Sequence, residues 1–291
     1  MSIGTAQQQQ ALGDHIYHQT QQYADRVNQS ELATSCRNLT LSKLRYQGYV
    51  AAMYPIVVGF NRALIRSLAK VDHVREHRLV KYLCEQLQEE QDHNAMWRRK
   101  MEELHIDHEA LYLDLENYLA KFSNQQLDDM TEQVIEAARI DITKVTPGAF
   151  PDPVVPEPVL ALYHFLYKTA IDPAIHYWEH FACQTAVECI IYSVVSESVY
   201  PGVSQREELN PGRSTLIWWK EHAHQGSEDG KKRTDEEKHL EMARLAMNRS
   251  EKANQLHDQI LSRAEDAMRL FAGTAICHDQ DYATFTVTPY L

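Results

Sequence analysis

A chain of 291 residues with 44% hydrophobic residues and only 10 Gly and 10 Pro is long enough for one large core or two domains, and reads as compact and helix-rich. Its formal net charge of −12 excludes a non-specific nucleic-acid binder, which needs a basic stripe to release phosphate counterions. Five cysteines (Cys36, Cys84, Cys183, Cys189, Cys277) are odd in number and show no C-x-x-C spacing, which reads as free thiols in a reducing compartment. The N-terminal residues lack the basic and apolar blocks of a signal peptide, and no uninterrupted apolar run reaches membrane-spanning length. A cytoplasmic location without a membrane partner is the expectation.

Residues 1–30 are polar and Gln-rich and read as a leader or surface helix, ahead of a helical domain expected over 31–275 and a tail at 276–291. From Glu31 to Val71, core-like spacing of Tyr46, Tyr49, Met53, Val57, Phe60 and Leu64 predicts a long helix, broken or kinked at Pro55. His73 to Leu104 forms the next helical pattern, and Leu111 to Phe122 and Leu127 to Ala138 are shorter amphipathic pieces. Five prolines between Pro147 and Pro158 forbid helix there. That stretch reads as a long connection inside one bundle, because the second half has too few independent helices for a core of its own.

Helices are then expected over Val159 to Thr169, Pro173 to Val199, Ser214 to about His224, and Thr234 to Leu270. Thr234 reads as the N-cap of the last, with Glu237 completing a capping box. Strand alternation is absent apart from a short apolar tail at Phe285 to Val287. The fold class is all-α, a single bundle of about seven core helices. Exposed apolar helices in such a bundle suit a closed homodimer.

Two acidic/histidine groups, Glu89-Glu90-Gln91-Asp92-His93 and Asp235-Glu236-Glu237-Lys238-His239, lie on stretches that both read as helix. Glu90 and His93 fall about 60° apart and Asp235 and His239 about 40° apart, so each pair shares a helical face. Carboxylate and imidazole together suit iron, manganese or zinc, and bundles build dinuclear sites from such pairs on separate helices. With 15 His and 41 Asp plus Glu in the chain, a single pair of this kind is also common on a solvated surface. Between the two groups, Glu188 sits among Phe181, Ile191, Tyr192 and Val195 on a face that belongs in the core. A metal, or an ion pair to Arg62 or Arg66, would offset its burial. Glu179 and Glu197, about 180° round that helix, are expected to face outward.

His222 and His224 follow Trp218-Trp219 at a helix end and are ligands only if the next loop folds back; a stabilising charge at a helix C-terminus is the alternative. His222, one turn after Trp218, is preferred. His164, His176 and His180 read as core histidines satisfied by hydrogen bonds.

The order of these features resembles the haem-oxygenase-like dimetal oxidases, the superfamily that also includes thiaminase II and pyrroloquinoline-quinone synthase. The matching pieces are Glu89 to His93 followed by Leu104-His105-Ile106-Asp107, then Pro173 to Glu188, Trp219 to His222 and Asp235 to His239, within residues 35 to 270. The resemblance implies metal ligation by Glu90, His93, Glu188, Asp235 and His239. Two departures stand out: no acidic residue occurs between Glu31 and Asp72, so either Glu89 bridges in its place or one iron site is incomplete, and Lys231 replaces an expected late histidine, which His222 would supply.

By the same resemblance the chain would hold two Fe(II) ions and use O2 as co-substrate, with Glu188 at the catalytic centre. The expected reaction is N-oxygenation, desaturation or oxidative C–C cleavage of a small amino-acid-like or amine metabolite, with a biosynthetic role. Arg62, Tyr54 and Tyr163 are the expected substrate-binding residues. The alternatives are a metal-free hydrolase like thiaminase II, with Cys183 as nucleophile, and a non-catalytic helical binding protein.

Overall fold

Helix starts in this chain are written into its side chains. Ser30, Ser42, Asp107 and Ser250 each accept a hydrogen bond from the backbone N–H three residues on, and Ser123 with Gln126 completes a capping box. The computed structural model describes residues 11–143, 148–223, 235–277, 279 and 287–291. In chain order the helices are α1 (Leu12–Asn28), α2 (Glu31–Arg37), α3 (Lys43–Leu68), α4 (His77–Glu103), α5 (His108–Leu119), α6 (Asn124–Ile140) and α7 (Glu157–Ile171). There follow α8 (Tyr177–Val194), α9 (Tyr200–Val203), α10 (Arg213–Glu221), α11 (Asp235–Arg249), α12 (Glu251–Gln255) and α13 (His257–Cys277). Among the described residues there is no strand, so the all-α expectation holds.

At the centre lies α8, in which only Ile191 and Tyr192 escape burial. It packs on α13 and α1, while α3 lies against α7 and α4, and α10 against α4. Past Val194 the helix widens into a π-helical turn, Val195–Val199, a local distortion that often marks functional sites. By length and composition α3 could cross a bilayer, but 72% of its most apolar window is buried in the fold. That makes it a core helix of the bundle, whatever its hydropathy.

Several boundaries differ from the sequence reading. The polar leader is largely α1, and its Leu12, Ile16, Ala24 and Val27 are core residues. At the far end, residues 276–277 complete α13 with both side chains buried. Asp107 N–H donates to the Tyr290 carbonyl, which ties the last described residues to α5.

The helix expected over Glu31 to Val71 is interrupted at Leu39, whose φ of 58° is left-handed, before Ser42 caps α3. Pro55 stays inside α3 without ending it. Pro173 precedes α8, which begins only after His176 caps it. Glu179 is buried rather than outward: it caps His176 N–H at 2.8 Å and pairs with Arg263 at 2.8 Å. A helical wheel places a residue relative to its own helix but cannot show that α13 covers that side. The final long helix divides into α11, α12 and α13 because Ser250 caps a new start. Thr234 and residues 224–233 lie outside the described residues.

Candidate metal centre and cavity

One face of α4 carries Gln86, Glu89, Glu90 and His93 at positions i, i+3, i+4 and i+7, and continues through Trp97 to Lys100. Each of the first four meets a group presented by the same turn or by another helix. Gln86 Nε2 donates to Glu188 Oε1 on α8. Glu89 Oε2 lies 3.0 Å from His239 Nδ1 on α11. Glu90 Oε1 is 3.4 Å from His93 Nδ1. The His93 ring is 4.3 Å, centroid to centroid, from that of His222, which closes α10. Asn61 of α3 donates to the Glu90 carbonyl at 3.0 Å and so fixes this turn of α4 against the core.

His222 is buried and stacks on Trp218 at 3.8 Å. Its Nδ1–H donates to the Trp218 carbonyl at 2.9 Å, which leaves Nε2 as the lone-pair nitrogen. Burial, with the neighbouring His93 and Lys100 adding to it, pushes its pKa well below the ordinary histidine range, so the ring is neutral. A neutral imidazole tethered through its other nitrogen is the usual form of a metal-ligating histidine. No folding back of the loop is needed to bring it in; the end of α10 already delivers it.

The donor set is therefore three carboxylates, Glu89, Glu90 and Glu188, with three imidazoles, His93, His222 and His239. It has the oxygen-and-nitrogen chemistry that suits iron or manganese. Among the described residues these groups form pairs, and no three His, Cys, Asp or Glu side chains gather closely enough to hold a metal as they stand. Asp235 begins α11 in register with His239, but its side chain lies outside the described residues.

Glu90, Glu188 and His222 open onto a cavity of about 50 Å³ whose other walls are overwhelmingly apolar or aromatic. Met53, Phe60, Val195 and Trp219 are typical of that lining. Trp97, Trp218 and Trp219 also enclose Lys100, whose Nζ lies 4.0, 4.7 and 3.7 Å from the three ring centroids. The Lys100 side chain is fully buried.

The residues expected to bind substrate are elsewhere. Arg62 bonds to Glu116 at 2.8 Å, Tyr163 OH at 2.8 Å and Tyr112 OH, and with Tyr163 it lines a separate open cleft. Neither Arg62 nor Arg66 lines the cavity that Glu188 enters. Tyr54 is buried with its ring edge-on to His108 at 6.0 Å. Tyr49 and Trp219 do line the cavity. Cys183 is fully buried outside the cavity lining, and burial pushes its thiol pKa up, away from the reactive thiolate. Of the expected core histidines, His164 is buried and pairs with Asp128 at 2.7 Å; His180 is buried and its Nδ1 bonds Thr169 at 2.8 Å, with no hydrogen-bond partner for its Nε2 among the described residues; and His176 is half-buried and caps α8.

Two participants escaped the sequence reading. Gln86 and Lys100 carry no metal-ligand signature, although both fall on the α4 stripe already marked by Glu90 and His93. Extending that stripe by one turn toward the N-terminus and two toward the C-terminus would have found them.

No protein-family model and no curated protein sequence matches the chain. Among solved structures, a TenA homologue from Pseudomonas syringae pv. tomato DC3000 superposes with a TM-score of 0.51 at 16% identity, over 90% of this chain and 91% of that one. The fold is haem-oxygenase-like. A TenA homologue from P. horikoshii matches at 14% identity with a TM-score of 0.46, over 90% and 96% of the two chains. Within the haem-oxygenase-like bundle, α4, α8, the end of α10 and α11 are the elements that carry the candidate donors.

Proposed function

We propose that this haem-oxygenase-like chain is an O2-dependent non-haem dimetal oxidase, with two ferrous ions held by Glu89, Glu90, His93, Glu188, His222 and His239, together with Asp235. The observation that carries this reading is the α4 stripe meeting a carboxylate and two imidazoles from three other elements, at the polar end of an apolar cavity. When bound, the ferrous ions would supply the electrons that reduce O2.

The chain's own residues have separate tasks in this reading. Gln86 holds the Glu188 carboxylate by its amide N–H. Trp218 holds His222 in the tautomer that presents Nε2 to the site. The apolar walls exclude water and bring the hydrocarbon part of a substrate up to the donor cluster. Removal of hydrogen from that part accounts for desaturation or oxidative C–C cleavage as outcomes, whereas N-oxygenation would be oxygen transfer from O2 to a substrate nitrogen brought to the same cluster. The amino-acid-like substrate expected from sequence loses its support from Arg62, which is engaged in another cleft.

The test is metal content and O2 uptake. Replacing His93, His222 or His239 with Ala should each remove most of the bound iron while helical circular dichroism is kept. Glu188→Ala should abolish Fe(II)-dependent O2 consumption, and Cys183→Ala should leave it unchanged. Full iron occupancy in all three histidine variants would sink the assignment. A chelator-insensitive activity lost in Cys183→Ala would instead establish a thiaminase-like hydrolase.

A further inference from the structure

The seam between α1 and α13 contains buried polar atoms without partners. His15 on α1 faces His257, the first residue of α13, with ring centroids 5.6 Å apart and planes tilted by 40°. His257 Nδ1 bonds the Asp258 carboxylate at 2.9 Å, so Nε2 is the nitrogen left with a lone pair. That Nε2 is buried, in a side chain only 11% exposed, and has no hydrogen-bond partner among the described residues.

Gln19 supplies a second orphan. It follows His15 by four residues on the same face of α1, and its Oε1 is buried with no partner among the described residues. The two helices run parallel here. His15 is level with His257, and Tyr23, eight residues on, is level with Glu265, which accepts its hydroxyl at 3.2 Å. Gln19 therefore lies level with the turn after His257. A helical side chain leans back over the turn N-terminal to it, which carries the Gln19 amide toward the two rings.

Burying an imidazole nitrogen and an amide oxygen without partners is costly, and one cation shared by both would offset that cost. With a metal–nitrogen distance of about 2.0 Å and the ring centre about 1.2 Å beyond, two imidazoles on one tetrahedral ion have centroids about 5.2 Å apart. The 5.6 Å observed is about 0.4 Å wider, which a small side-chain adjustment closes. The dipoles at the N-termini of α1 and α13 oppose a cation, and the Asp258 carboxylate in the first turn of α13 counters them. Two imidazoles and a neutral oxygen, with no thiolate, suit a borderline divalent ion that tolerates four-coordination.

We propose that His15, His257 and Gln19 hold a zinc ion that clips α1 to α13, with water completing its coordination. None of the three belongs to the candidate metal centre or lines its cavity, so the clip stands or falls independently of the oxidase reading.

The test is calorimetric titration of metal-free full-length protein with ZnCl2. Zinc can also enter the α4 centre, so the quantity that matters is the difference between proteins. His15→Ala and His257→Ala should each bind one equivalent fewer than the unaltered protein. The double variant should lose no more than either single one, because both rings serve one ion. Gln19→Ala should weaken that equivalent at least about tenfold, the loss that removing even an outer-shell partner causes. With free zinc about a hundredfold above its Kd, amide exchange in α1 should slow by up to about a hundredfold in the unaltered protein and not in His257→Ala. An unchanged zinc count in either folded histidine variant, a double variant that loses two equivalents, unchanged affinity in Gln19→Ala, or zinc bound without protection of α1 would overturn the clip. Should the variants not fold, an anomalous difference map at the zinc absorption edge, from unaltered protein crystallised with ZnCl2, decides. A peak between His15 and His257 upholds the site, and its absence there overturns it.

Discussion

Replacing Lys100 with Met should stabilise the protein, and by an amount that depends on pH. The Lys100 side chain is fully buried, and its Nζ finds no hydrogen-bond acceptor among the described residues; three tryptophan rings surround it. Burial lowers its pKa well below the ordinary 10.5, with Glu103 opposing weakly. The sign follows directly. Between the lowered folded pKa and 10.5 the unfolded chain binds a proton that the folded chain does not, so folding strengthens as pH rises through that window. Each pH unit inside it is worth up to about 1.4 kcal/mol. Methionine has similar length, keeps the contacts with the three rings and carries no charge to desolvate. Urea unfolding at several pH values, followed by tryptophan fluorescence, should therefore show Lys100→Met gaining on the unaltered protein as pH falls from 10 toward neutrality. Cation–π attraction works against this, at up to about 2 kcal/mol per desolvated ring. A difference between the two proteins that does not change with pH, or a variant less stable throughout, would refute the reasoning and show that the rings hold the ammonium charged.

Two further outcomes follow from burial. Arg263→Ala leaves the Glu179 carboxylate buried without its guanidinium and should cost about 3–5 kcal/mol in urea unfolding, whereas Arg139→Ala, which exposes a partner already bonded to Arg269, should cost less. In thiol titration of the native protein, Cys84, the exposed cysteine, should react fast and vanish in Cys84→Ser, while Cys183 reacts only on unfolding; fast labelling of Cys183 would contradict its buried placement.

Periodicity made the bundle legible, because apolar residues at helical spacing on α3, α4 and α8 face the core they predict. It also placed Glu90 beside His93 and marked Glu188 as buried, since both depend only on geometry within one helix. What it could not supply was the side of each helix that a distant segment covers. Glu179 looked outward until α13 brought Arg263 to it, and Arg62 looked available until Glu116 and Tyr163 engaged it. The α1 residues were misjudged for the opposite reason: Gln-rich composition masked a narrow apolar stripe, Leu12, Ile16, Tyr23 and Val27, that is buried against α8 and α13. His222 was weighed against a loop that had to fold back, whereas a helix end placed it directly.

The seating of α1 has a consequence for how the chain is made. Gly13 N–H bonds Asn248 Oδ1 at 2.7 Å, and a Cβ at Gly13 would overlap the Arg244 carbonyl oxygen, so the first helix is fitted to a partner 235 positions downstream. At about 5–20 residues per second, a ribosome needs on the order of 10–50 s to reach that partner after α1 has been synthesised. Until α8, the first of its main partners, has been made, Leu12, Ile16, Tyr23 and Val27 lack the surfaces that cover them in the fold. Helix α1 thus completes its docking long after it is synthesised, and chaperones that bind exposed apolar helices have a long opportunity to engage it.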